Sequence, residues 1–202
     1  MGDVGRYFIH VILFEIMNQT LILASQSPRR KQLLEWAEIP FQVVVSNTDE
    51  TYPAGLSFSK IAIHIAQQKA LAVQQQHPDH KILAADTIVV CDQQLIGKPA
   101  NREEAIRFIT MLSGKTHQVI TGVCILDPFK SIVFSETTNV TFHPLTEAQI
   151  AFYVDRYQPY DKAGAYAIQE WIGVVGIQSI EGDFYNVMGL PVSRVVQELS
   201  RF

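Results

Sequence analysis

Apolar residues along this 202-residue chain recur with two different periods. Runs rich in Val, Ile, Leu and Thr at 20–24, 41–45, 81–90, 117–126, 131–141 and 173–180 predict strands. Between them, 28–37, 57–75, 102–112, 146–157 and 191–201 carry apolar residues at helical spacing, with start signals at Ser57, Asn101 and Pro191. Strands and helices alternate early, whereas 117–126 and 131–141 follow one another through Asp127-Pro128. That order predicts an α/β protein whose elongated mixed sheet, partly antiparallel, is flanked by helices. A hairpin through Cys91 to Ile96 leads into Gly97-Lys98-Pro99. No internal repeat is present, and no domain boundary is readable.

With 48% hydrophobic residues, the chain can bury a full core as one domain or two closely packed lobes. A net charge of −4 provides no general basic field, which argues against nucleic acid as a partner. Cys91 and Cys124 each sit beside β-branched residues in strand-like runs, as buried small hydrophobes in a reducing compartment do. Neither Cys nor His shows metal-ligand spacing. The apolar run Tyr7 to Ile16 is too short to span a membrane, is interrupted by Glu15 and precedes no cleavage site. Residues 1–16 are therefore expected to be an extension that is not native, with translation starting at Met17. The expectation for 17–202 is a single catalytic domain, cytoplasmic and without a membrane partner.

The segment Leu21-Ile-Leu-Ala-Ser-Gln-Ser-Pro-Arg-Arg30 runs from an apolar strand through a Ser-rich turn into a helix. Ser27 suits the cap and Pro28 the first helical position. Free amides at that end favour an anion, whereas Arg29 and Arg30 oppose the helix dipole unless an anion offsets them. In helix 57–75, one face reads Phe58, Ile61, Ala62, Ile65 and then Lys69. Either the lysine stem packs while its ammonium reaches water, or it points at a negative ligand.

Asp86 interrupts the apolar run Ile82 to Val90, where a carboxylate is costly unless paired, hydrogen-bonded or bound to a cation. Glu50, in the loop after the predicted strand 41–45, is an ordinary solvated acid by itself, and beside Asp86 it could complete a hard-cation site. Lys98 is either a solvated turn lysine or part of the same site. Gln169 is either a surface amide or a reader of a base edge. Ser113-Gly114-Lys115-Thr116 is not a P-loop: Ile109 stands where the first glycine belongs, and the segment follows a helix.

Taken in order, Ala24-Ser25-Gln26-Ser27-Pro28-Arg29-Arg30, Ala85-Asp86-Thr87, Gly97-Lys98-Pro99, Leu112-Ser113-Gly114, Thr121-Gly122-Val123, Asp161-Lys162-Ala163-Gly164-Ala165-Tyr166 and Gly189-Leu190-Pro191 resemble the Maf family of nucleotide pyrophosphatases. The resemblance implies two lobes with a cleft, as in inosine triphosphate pyrophosphatases. It also implies a divalent cation, Mg²⁺ or Mn²⁺, and hydrolysis of a nucleoside triphosphate to monophosphate and pyrophosphate. The segment from Asp161 through Gln169 resembles the branch acting on dTTP and UTP. By that resemblance Asp86 is the proton acceptor, and Arg29, Thr87 and Gln169 bear on base selectivity. Ser25, Arg30, Glu50, Lys69 and Lys98 match other pocket positions, with Glu50 and Asp86 the candidate metal ligands. Whether Asp86 acts as base or ligand stays open.

A homodimer is implied in the same way. The alternatives are a pyrophosphatase for modified nucleotides and a non-catalytic nucleotide-binding regulator of cell division. The chain departs from the family's frequent glycines at Ala167 and Glu170, where extra bulk or charge near the base shifts substrate preference.

Overall fold

One sheet organises the molecule, and its pleat sorts the residues of the future site onto two faces. The computed structural model describes residues 20–46 and 48–202, so the predicted extension 1–16 lies outside the described residues. In chain order the elements are β1 (Leu21–Leu23), α1 (Pro28–Trp36), β2 (Phe41–Val43), α2 (Phe58–Gln74), β3 (Ile82–Cys91), β4 (Gln94–Ile96), α3 (Arg102–Leu112), β5 (Thr116–Leu126), β6 (Ser131–Phe142), α4 (Glu147–Tyr157), α5 (Trp171–Gly176), β7 (Ile177–Glu181), α6 (Phe184–Met188) and α7 (Val192–Leu199). The strand order is β2-β1-β3-β5-β6-β7, with β4 paired to β3. Strands β1, β2 and β3 are mutually parallel where they pair, and the β3-β5-β6-β7 array is antiparallel. This is the mixed, partly antiparallel sheet flanked by helices that the periodicity predicts.

Alternation along β3 explains the layers. Leu83, Ala85, Val89 and Cys91 join the large core on one face, and Ile82, Ala84, Ile88 and Val90 join smaller clusters on the other. Helix α2 covers this second face with Ala62, Ala66, Ala70 and Val73. It lies close because Gly122 of β5, directly opposite Asp86, has no side chain. A Cβ there would fall 2.2 Å from the carbonyl carbon of Ala62.

Helix ends follow local chemistry. The Ser27 hydroxyl caps α1 by accepting from Arg30 N–H, with Pro28 in the first turn. Asn101 caps α3, and Thr146 with Gln149 forms a capping box on α4. The Cys91–Gln94 hairpin turns through Asp92 and Gln93, both at positive φ, as a two-residue turn of this hand requires.

One predicted strand is corrected. Of 173–180, residues up to Gly176 are helical in α5, and only Ile177–Glu181 form β7. The apolar run satisfies both patterns, and packing decides: a Cβ on Gly173 would stand 1.7 Å from the Ile168 carbonyl oxygen, so the glycine lets a helical turn back onto that loop. The short helices α5 and α6 were not predicted. Cys91 and Cys124 are buried free thiols, as expected. Among the described residues no helix is long and apolar enough to cross a membrane.

Candidate active site

The turn after β1, the start of α1 and the middle of β3 open onto a cavity of about 640 Å³. All nine residues singled out in the sequence line it: Ser25, Arg29, Arg30, Glu50, Lys69, Asp86, Thr87, Lys98 and Gln169. The β3 pleat divides them. Asp86 faces α2, while Thr87 faces the side where α1 and the segment around Gly189 lie.

On the α2 side, Lys69 is buried, with about a tenth of its side chain exposed. Its Nζ donates to Asp86 Oδ1 at 2.7 Å and to Glu50 Oε1 at 2.8 Å. Lys98, more exposed, lies 3.4 Å from the other oxygen of Glu50. The ammonium is turned into the cavity, where its partners are the chain's own Asp86 and Glu50. Burial pushes the Glu50 carboxyl up, but Lys69 and Lys98 outweigh it and hold the group below its usual value.

On the other side, Arg30 is 8% exposed and spreads its three nitrogens over neutral oxygens. Nε donates to the Gly189 carbonyl at 2.8 Å, one terminal nitrogen to Ser25 Oγ at 3.1 Å and the other to Thr87 Oγ1 at 3.0 Å. Among the described residues no carboxylate lies within ion-pair distance of it, which leaves a buried guanidinium for an incoming anion to neutralise. Burial draws its pKa below the ordinary value, with Asp86 acting in the opposite direction. Thr87 Oγ1 also lies 2.9 Å from Thr121 Oγ1, the residue paired with it across β3 and β5.

Arg29 points away from Arg30 and meets Asp161 Oδ2 at 3.1 Å. Asp161 in turn accepts from Lys162 Nζ at 2.7 Å. Burial raises the Asp161 carboxyl, while Lys162 and Arg29 lower it further, so its pKa sits below the usual aspartate value. Gln169 is exposed on the cavity wall.

Asp161, Lys162 and Gly189 also line the cavity and carried no individual role in the sequence. Lys162, as buried as Lys69, and Asp161 were visible as an acid–base pair at the start of an otherwise apolar stretch. Gly189 gave a signal only as a glycine before Leu-Pro. Its φ of 114° is open to glycine at little cost, and it aims the carbonyl at Arg30.

Among the described residues no set of three His, Cys, Asp or Glu side chains is placed to hold a metal. Glu50 and Asp86, both in contact with one ammonium, supply two carboxylates at one place. That donor set fits Mg²⁺ or Mn²⁺ taken up with phosphate oxygens and water, since such ions need only one or two protein carboxylates when a polyphosphate completes the shell.

Among solved structures, that of the Ham1 protein of Staphylococcus aureus aligns with 61% of this chain and 72% of its own, at 14% identity and a TM-score of 0.41. Sequence relatives are far nearer. A dTTP/UTP pyrophosphatase of Cytophaga hutchinsonii is 50% identical over 184 residues, 91% of this chain and 84% of that protein. One of Bacillus cereus is 50% identical over 182 residues, 90% and 95% of the two chains. One of Parabacteroides distasonis is 47% identical over 193 residues, 95% of this chain and all of its own. The profile of Maf-like proteins matches residues 20–202, the stretch that builds the sheet and every wall of the cavity, and the chain belongs to the Maf family.

Proposed function

We propose that the protein hydrolyses dTTP and UTP to the nucleoside monophosphate and pyrophosphate, with Asp86 as the base. One observation carries this reading: a buried carboxylate, Asp86, shares a cavity with five cationic side chains, Arg29, Arg30, Lys69, Lys98 and Lys162. Such a cluster of cations suits a triphosphate, whose charge is spread over several oxygens. The relatives that are half identical over nine tenths of the chain bear the name dTTP/UTP pyrophosphatase, which supplies the substrate class.

In the proposed reaction, water oxygen bonds to the α-phosphorus as the bond from that phosphorus to the α,β-bridging oxygen breaks. The electron pair leaves with pyrophosphate. The water proton passes to Asp86 Oδ2, which has no hydrogen-bond partner among the described residues, while Lys69 holds Oδ1 and fixes the carboxylate plane. Arg30, already oriented by Gly189, Ser25 and Thr87, offers its remaining N–H groups without reorganisation. Glu50, with Asp86 beside it, would hold Mg²⁺ or Mn²⁺, and the bound cation supplies charge neutralisation on the triphosphate. Gln169 offers an amide donor and acceptor to the thymine or uracil edge, with Arg29 and Thr87 bounding the same space.

The same proposal makes the enzyme cytoplasmic and homodimeric, the latter checked by light scattering. A nucleotide panel with Mg²⁺ tests the activity itself: pyrophosphate release is expected from dTTP and UTP and is lost with EDTA. Nucleotide binding without release would instead fit a regulator, and preference for 7-methyl-GTP would move the substrate to modified nucleotides.

A further inference from the structure

Gln169 makes no hydrogen bond among the described residues, so whatever it recognises depends on where its backbone is held. It occupies the third position of the turn Ala167-Ile168-Gln169-Glu170, closed by Glu170 N–H donating to Ala167 O at 3.1 Å. Both ends of that turn are fastened to one atom on α4. The hydroxyl of Tyr153 accepts from Ala167 N–H at 3.1 Å and donates to the Glu170 carboxylate in a short hydrogen bond. Tyr153 is fully buried and stacked on Tyr157, so the anchor itself is rigid.

The other side of the turn is held as well. Ile168 is buried, and the glycine at 173 lets α5 close over its carbonyl, with Gly173 N–H donating to Glu170 O at 2.9 Å. The second oxygen of Glu170 lies 3.6 Å from Lys162 Nζ, which ties the turn back to Asp161 and through it to Arg29. Glu170, the residue after Gln169, and Arg29 thus belong to one connected set of side chains.

We infer that Tyr153 and Glu170 are positioning residues that set base discrimination by fixing the distance of Gln169 from the rest of the cavity. The inference rests on the nucleotide-binding reading given above. A purine carries its pairing edge farther from the ribose than a pyrimidine does. A turn clamped at both ends therefore admits the pyrimidine edge to hydrogen-bonding distance and leaves a purine misplaced, with polar groups unpaired. A loosened turn adapts to either. Neither residue touches the base; both act through Gln169.

Calorimetric titration with the α,β-methylene analogues of UTP and GTP in Mg²⁺ reads discrimination as a ratio of dissociation constants and needs no turnover. Failure of the wild type to hydrolyse UTP would overturn the catalytic reading while leaving this measurement intact. Glu170→Ala and Tyr153→Phe are expected to lower the UTP-over-GTP ratio by about tenfold, with kcat for UTP changed much less than KM. Glu170→Gln, whose amide oxygen still accepts from Tyr153, is expected to keep most of the ratio. In a Gln169→Ala background the effect of Glu170→Ala on the ratio should vanish. An unchanged ratio in Tyr153→Phe and the Glu170 variants, an effect that persists without Gln169, or a wild type that binds the two analogues equally overturns the inference. Tyr153→Phe keeps the buried ring and answers the question should Glu170→Ala fail to fold.

Discussion

Lys69 Nζ lies 2.7 Å from Asp86 Oδ1, and each side chain is only about a tenth exposed. The pair crosses from α2 to β3 and brings the one carboxylate inside the apolar strand against the one lysine on the apolar face of the helix. Glu50 Oε1, 2.8 Å from the same ammonium, makes it a three-centre cluster. Removing the cation leaves two carboxylates facing each other with nothing between them. Lys69→Met, which keeps the stem, is expected to lower kcat/KM for UTP by about 10²-fold or more, since a buried ion partner and a phosphate contact are lost together. Steady-state kinetics on the purified variant checks this, with circular dichroism to show that it is folded.

Arg30 is the second fixed cation. Three nitrogens donate to three different groups, Gly189 O, Ser25 Oγ and Thr87 Oγ1, and one ammonium cannot reproduce that fork. Arg30→Lys is therefore expected to cost about 1–3 kcal/mol of stability, read as a lower urea midpoint. A raised KM for UTP should accompany it.

The approach of α2 to the sheet depends on Gly122. A methyl there would meet backbone atoms of Ala62 and Ile63 at 2.2–2.4 Å, and backbone cannot swing aside as a flexible side chain does. Gly122→Ala is expected to destabilise by about 3 kcal/mol. Because the helix it displaces carries Lys69, activity should fall further than the loss of folded protein accounts for. Thermal denaturation and activity per folded molecule separate the two.

His117 gives a pH dependence of stability. It is buried between Phe142 and Tyr166, with Nε2 2.7 Å from the Tyr166 hydroxyl and Nδ1 unpartnered among the described residues. Burial pushes its pKa down to about 4, against 6.5 ordinarily, so the unfolded chain binds the proton more readily. This contribution is whole above pH 6.5 and is lost as pH falls from 6.5 toward 4, amounting to about 3 kcal/mol. Urea titrations at pH 7.5, 6 and 4.5 should show the decline, and His117→Leu should flatten it.

Much of this architecture is legible in the amino-acid sequence. Period-2 and period-3.6 patterns placed most strands and helices, and Asp86 and Lys69 stood out because a charge on an apolar face needs a partner. What the chain did not disclose is which partner. Lys69 could have snorkelled, and only the absence of a side chain at Gly122 brings α2 near enough for the ammonium to meet Asp86. The stretch 173–180 misled for another reason: Val174, Val175 and Ile177 suit a strand, and the close approach of Gly173 to Ile168 five residues earlier, which only glycine permits, lets the first part be helical. Tyr153 gave no signal at all. Its role comes from meeting Ala167 and Glu170 across a turn, and nothing in the local pattern of α4 distinguishes it from any other buried aromatic.

In the proposed reaction Asp86 takes the proton from the water that attacks dTTP or UTP. The most direct test is pyrophosphate release from dTTP and UTP in Mg²⁺ by the wild type and by Asp86→Asn, which keeps the shape and loses the base. Release by the wild type and a fall of about 10³-fold in kcat for the variant, with nucleotide still bound, are predicted. Equal release by both proteins would contradict the assignment of Asp86, and no release by the wild type would contradict the activity.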